Sequence, residues 1–198
     1  MKKWTLLFAL FVGTLTAFSQ DEEEEQKQGG FKKQNIFAGG SVSLSFGNRS
    51  FLAGANPVIG YKIAEWIDAG IVLNYQYSSL RYLDEDKLRQ NIYGGGVFTR
   101  LFPINFLFGQ AQFEHNFLSF KYIPSDGSSP QKANTSANSF LVGGGIAQGR
   151  RIGMNEAFFY FSILFDISDN ANSPYTDIYG KARPIYRVGA NFYLFRDR

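Results

Sequence analysis

The stretch FSILFDI, residues 161–167, places a large apolar residue at every second position: Phe161, Ile163, Phe165 and Ile167. Ser162, Leu164 and Asp166 lie between them. A period of 3.6 cannot separate these two sets, whereas a period of two puts them on opposite faces of a strand. Such a strand buries its Phe/Ile face in a soluble core or turns it outward to lipid, and the fold depends on which.

From Ile36 onward the same alternation divides the chain into eight segments. In 36–46, Ala38, Val42, Leu44 and Phe46 oppose Gly39, Ser41, Ser43 and Ser45. In 51–63, Phe51, Ala53, Ala55, Pro57, Ile59, Tyr61 and Ile63 oppose Gly54, Asn56, Gly60 and Lys62. In 66–79, Ile67, Ala69, Ile71, Leu73, Tyr75 and Tyr77 oppose Asp68, Gly70, Asn74, Gln76 and Ser78. Segment 91–102 is ambiguous because Phe98 and Arg100 share a face; Arg100 is assigned to the polar side. Segment 106–120 gathers Gln110, Gln112, Glu114 and Asn116, segment 138–150 is rich in glycine, and 157–168 and 184–195 complete the set.

The connections alternate in length. Those after the second, fourth and sixth segments are AE, PIN and RIGMNE. Those after the third, fifth and seventh are long and polar: LRYLDEDKLRQ, KYIPSDGSSPQKANTSA and DNANSPYTDIYGKAR. Short turns at one end and long loops at the other are the pattern of an outer-membrane barrel. The apolar face also carries aromatics near both strand ends: Tyr61, Trp66, Phe102 and Phe106 near the turns, and Phe46, Phe51, Tyr75, Tyr77, Tyr93 and Phe117 near the loops. Two such belts suit two membrane interfaces. The expected fold is an all-β, eight-stranded antiparallel up-and-down transmembrane β-barrel over residues 36–198, with both termini periplasmic. A secreted, lipocalin-like binding barrel is the soluble alternative.

Targeting agrees. MKKWTLLFALFVGTLTAFSQ has two lysines, an apolar run and Ala17-Phe18-Ser19, a signal peptide over 1–19 that leaves Gln20 as the new N-terminus. Removing Lys2 and Lys3 lowers the formal charge from +3 to +1, which gives no electrostatic case for nucleic acid. Residues 20–35, with their acidic block, Gly-Gly and basic patch, read as a disordered periplasmic tail. The chain has no cysteine, so disulfides and thiolate metal sites are excluded.

The runs NPVIGYKIAEWIDAGIVLNYQY, YGGGVFTRLFP and VGANFYLF resemble the small porin-like outer-membrane β-barrel family. That family shares its architecture with the transmembrane domains of OmpX and OmpA. The resemblance spans about Ile36 to Phe195. It implies fold and location and no activity.

An eight-stranded barrel is about wide enough for side chains to fill. Charges on the inward parity must therefore be paired or hydrogen-bonded. Lys62, Asp68, Arg100, Glu114, Asp166 and Arg187 form the expected interior polar network. Asp68 is expected beside Arg100 and Lys62, Asp166 is expected beside Arg187, and Glu114 has no evident partner. Gly94, Gly96, Gly143 and Gly145, if inward, make room for Gln110, Gln112 and Glu114. Neither GGG run opens a helix, so neither is a phosphate loop.

Chemistry is sparse. His115 is the only histidine, which excludes a multi-histidine metal site. It shares the lipid-facing parity with Ser119, as a lipid A acyl hydrolase would require, but no carboxylate is placed to orient the imidazole. LDEDK, residues 83–87, lacks the glycine and terminal glutamate of a calcium loop. The expectation is a non-enzymatic protein without cofactor. It would sit among outer-membrane lipid and lipopolysaccharide and act through its loops or as a small subunit with other outer-membrane or periplasmic proteins. In NSPYTDIYG, residues 172–180, Tyr175, Ile178 and Tyr179 are the candidate partner-binding anchors.

Overall fold

The computed structural model describes residues 30–150, 156–170, 172–177 and 179–195. The expected signal peptide and the acidic part of the tail lie outside the described residues. Eight strands follow one another: β1 (Ile36–Gly47), β2 (Ser50–Ala64), β3 (Ile67–Arg81), β4 (Lys87–Ile104), β5 (Leu107–Ile123), β6 (Gln131–Gln148), β7 (Phe158–Asp166) and β8 (Ile185–Tyr193). Each pairs antiparallel with the next, and β8 closes the ring on β1 through pairs such as Val42 with Val188.

Alternation sets the two surfaces. Val42, Ile59, Ile71, Leu73, Val97 and Ile146 are exposed on the outside, as Val142 and Phe165 are, and Ile163 shares their parity. Ser41, Ser43, Asn56, Gln76, Gln112 and Glu114 are buried inside. A slip of one residue in any pair would exchange the two sets, so the register is strongly specified. Trp66 and Phe106 are exposed at the turn end, and Phe46, Phe51, Tyr75, Tyr93 and Phe117 toward the loop end.

Phe102 departs from its expected place in the outer belt. It is 4% exposed and packs inside against Phe108 and Phe158. The reason is parity: once Arg100 points inward, Phe102 must also. Nor is the tail featureless up to residue 35. Lys33–Asn35 form one 3-10 turn, the Lys32 N–H donates to the Tyr61 hydroxyl at 3.0 Å, and Asn35 Nδ2 donates to the Lys62 carbonyl at 2.9 Å.

Two expected long loops are largely strand. β4 begins at Lys87 and β6 at Gln131, where Lys87 pairs with Ile123 and Tyr122 with Gln131. Both faces of these stretches are polar, which hides the period-two signal. As a result β6 outreaches β7. Their ladder runs only from Leu141–Asp166 to Gln148–Phe159, so residues 131–139 stand above it with no strand partner on that side among the described residues.

The inward glycines admit neighbouring backbone, and Gly94 and Gly145 also leave room for the side chains of Asn116 and Phe108. A Cβ on Gly96 or Gly143 would run into the carbonyl oxygens of Phe113 and Ile163 on the neighbouring strands. Their role is to admit backbone, not primarily to make room for Gln110 or Gln112.

Candidate functional site

The interior has three storeys. At the turn end, Phe102, Phe108, Phe158 and Tyr160 cluster with Tyr193. Arg150, from the connection after β6, lies over this cluster with its guanidinium 3.9 Å from the Phe102 ring centre. It donates to Asp68 Oδ1 at 3.0 Å and to the Glu65 carbonyl at 3.1 Å. Arg150, not Arg100, is thus the hydrogen-bonded partner of Asp68. Sequence reading missed it because the glycine-rich segment 138–150, which it ends, gives no decisive parity; the local signal is the arginine pair that follows Gly149 just past β6. Lys62 lies 3.4 Å from the Glu65 carboxylate and 5.6 Å over the Tyr193 ring.

Arg100 sits one layer deeper, 4.2 Å from the Tyr160 ring centre and 4.9 Å from that of Phe98. Cation–π attraction strengthens when both groups are desolvated. Its Nε donates to Gln110 Oε1 at 2.9 Å. With the Asn191 amide oriented to complement its neighbours, Asn191 Oδ1 accepts from Arg100 at 2.8 Å.

The middle storey is a polar chain. Gln110 donates to Gln112 at 2.8 Å, and Gln112 donates to Glu114 Oε1 at 2.5 Å. Arg187, on β8, bridges this line, donating to Gln112 at 2.9 Å and to Glu114 Oε1 at 3.0 Å. Glu114 Oε2 accepts from Asn116 at 2.9 Å and from the Tyr175 hydroxyl at 2.6 Å. The carboxylate is 0% exposed and receives four hydrogen bonds, one of them from a guanidinium. A buried charge is tolerable on those terms.

The upper storey corrects two expectations. Asp166 does not meet Arg187. It accepts from the backbone N–H of Phe140 at 3.0 Å, from that of Ser168 at 2.9 Å and from the Ser173 hydroxyl at 2.5 Å. It anchors the connection after β7, and Arg187 goes to Glu114 because it pairs in register with Ser162, four residues along β7 from Asp166 and below the rim. Tyr175, expected as an exposed anchor, is 0% exposed. Its ring joins Leu52, Ile92, Leu118 and Leu141, and its hydroxyl accepts from Gln76 at 2.8 Å while donating to Glu114. The loop folds back into the barrel mouth because Ser173 is tied to Asp166 and Arg183 donates to the Pro174 carbonyl at 2.5 Å. Burial lowers the Arg183 guanidinium to about 10, with Asp177 opposing the shift. Ile178 lies outside the described residues, and Tyr179 is 58% exposed.

Tyr175→Phe is therefore expected to destabilise the barrel by about 1–3 kcal/mol, because Glu114 and Gln76 each lose a buried partner. Urea unfolding in detergent, with the barrel remaining heat-modifiable on gels, would measure it. An unchanged midpoint would mean that the hydroxyl is not held as described.

His115 lies on the outside. Its Nδ1 is 2.7 Å from Asn138 Oδ1, and its ring meets Phe117 edge-on with centroids 4.9 Å apart. Ser119 occupies the same outer face, and among the described residues no carboxylate bonds the imidazole. At the loop end, a cavity of about 460 Å³ is lined by Asp166, Asp169, Asn170 and Thr176.

An apolar exterior, a polar interior and closure of eight antiparallel strands define a transmembrane β-barrel of the up-and-down type. No protein-family model matches the sequence, and no curated protein matches it. Among solved structures the chain is similar to Ail, the attachment invasion locus protein of Yersinia pestis, which has been crystallised in complex with the heparin analogue sucrose octasulfate. That similarity has a TM-score of 0.47 and 9% identity over 79% of this chain and 96% of Ail. It is also similar to the N-terminal β-barrel domain of Pseudomonas aeruginosa OprF, with a TM-score of 0.42 and 13% identity over 79% of this chain and 95% of that one. The translocator domain of autotransporter NalP from Neisseria meningitidis gives a TM-score of 0.44 and 10% identity, covering 95% and 96% of the two chains.

Proposed function

We propose that this protein is a non-catalytic integral barrel of the bacterial outer membrane that holds an extended segment of a partner protein at its loop end. Both termini face the periplasm in this reading, and the interior is a plug. The exported leader, the apolar exterior and the short-turn end that carries both strand termini support the location and orientation.

The observation that carries the function is the free edge of β6. The Phe140 carbonyl accepts from Ile167 on the β7 side, so even-numbered residues of β6 direct their backbone groups that way. The Asn138 carbonyl is taken by the side chains of Ser168 and Asn170. Above it, Lys132, Asn134 and Ser136 present N–H and C=O groups to an edge that no strand covers among the described residues. An extended peptide can add there as one more strand. The filled interior makes the wall below rigid, which lowers the ordering cost of that addition.

Asn134→Pro with Ser136→Pro removes two outward N–H groups at an edge where proline is tolerated. The barrel should stay heat-modifiable in mild detergent, while the partner that photo-cross-links from position 132 of the otherwise native chain should be lost. A cross-linked complex of unchanged yield would defeat the edge reading. His115→Ala should leave that complex intact; a changed lipid A acyl profile in its place would install a lipid-active enzyme as the better reading.

A further inference from the structure

The outer face of the tall wall carries a row of cations. Arg89 pairs in register with Lys121, and Lys121 with Lys132. All three side chains are exposed on the outward parity, and Lys87 lies half-buried on the same face at the start of β4. Adjacent strands lie about 4.8 Å apart, so three like charges fall within about 10 Å of one another. Like charges directly opposite each other destabilise a sheet.

Among the described residues no carboxylate pairs with this row; Asp84 accepts from the Asp86 N–H at 3.4 Å. Glu85, exposed and two residues before Lys87, is engaged by Arg49 at 2.6 Å and by Arg81 at 3.6 Å. Asp86 turns inward to Tyr122 and Ser125. Asp126 is held by the Ser128 N–H, which keeps its carboxyl below the usual range. Among the described residues, none of the four cations makes an ion pair.

We propose that Arg89, Lys121 and Lys132, assisted by Lys87, bind the phosphate groups of a membrane amphiphile that carries at least two phosphates. The proposal rests on the outer-membrane reading above. A row spanning two strand gaps calls for more than one anionic group, and phosphate offers several acceptor oxygens to guanidinium and ammonium donors. Amphiphile is favoured over soluble polyanion by what lies beneath. Asn91, Ser119 and Asn134 form a polar step on the same outward columns, and below them Tyr93 and Phe117 stack at 5.6 Å on the apolar face. Lys121 is four residues, about 13 Å along the strand, above Phe117. With strands tilted as in membrane barrels, that places its ammonium at the level of lipid headgroups.

The test reconstitutes the barrel in phosphatidylcholine vesicles doped with diphosphoryl lipid A or with the same lipid after phosphatase treatment. The probe in a third arm is soluble tripolyphosphate without lipid A. The native barrel should retain the diphosphoryl lipid in a salt-sensitive manner. R89Q/K121Q/K132Q should retain it about a hundredfold less, at about fivefold per cation. In plain phosphatidylcholine the triple variant should unfold no earlier than the native protein, since it loses only repulsion. Equal retention by both proteins, or by the dephosphorylated lipid, would overturn the site. An equal response to tripolyphosphate would overturn the choice of a lipid ligand. Should the barrel refuse to enter vesicles, the location would be wrong, and mixed detergent micelles with the same lipids would still decide the row.

Discussion

Replacing Arg187 with methionine should destabilise the barrel by about 3–5 kcal/mol, the range for removing one partner of a buried ion pair. Arg187 lies 3.0 Å from Glu114, and both side chains are buried. Methionine fills much of the same space, so the loss falls on the carboxylate left without its cation rather than on packing. The double variant Arg187→Met with Glu114→Leu should recover most of the stability, because a well-packed apolar pair often matches a buried salt bridge. Urea unfolding in lipid, followed by the heat-modified gel shift, measures both. Were the single and double variants to unfold together, the pair would not be the central brace of the interior.

Ile163→Arg should cost about 2–4 kcal/mol, the depth-dependent cost of a cation on the lipid face near the bilayer midplane. Ile163 is on the outward face of β7, opposite Gly144 on one side and Tyr186 on the other. Ile167→Arg, four residues nearer the loops and 60% exposed, should cost about 0–1 kcal/mol. The contrast is the measurement, since a soluble barrel would show no such gradient. Equal costs at the two sites would show that the outer face does not meet lipid.

The strand count, the inward and outward sets and the closed order were legible because lipid enforces period two more uniformly than a mixed protein core does. Phe98 and Arg100 looked contradictory on one face only because the inside was taken to be polar throughout. In a narrow barrel an arginine and aromatic rings complement one another, and accepting that pairing would also have turned Phe102 inward. The upper parts of β4 and β6 were not legible, because beyond the hydrocarbon core the outward face of a strand is polar too and alternation fades. Tyr175 was misread for a related reason. A tyrosine among serine, proline and aspartate looks like a loop anchor, and only tertiary contacts reveal that its ring fills the barrel mouth. Arg150 and Glu114 found partners across 82 and 73 positions of sequence. Local pattern carries no information over such separations.

The position of Glu114 bears on how the ring is completed. Its carboxylate belongs to β5, but its guanidinium arrives on β8 and its tyrosine on the connection just before β8. A sheet of seven strands thus holds an acid that lacks two of its four donors, along with unpaired edges on β1 and β7. Docking the final strand satisfies the edges and the acid in one event. Partly assembled rings are penalised twice, and closure is driven toward an all-or-none step.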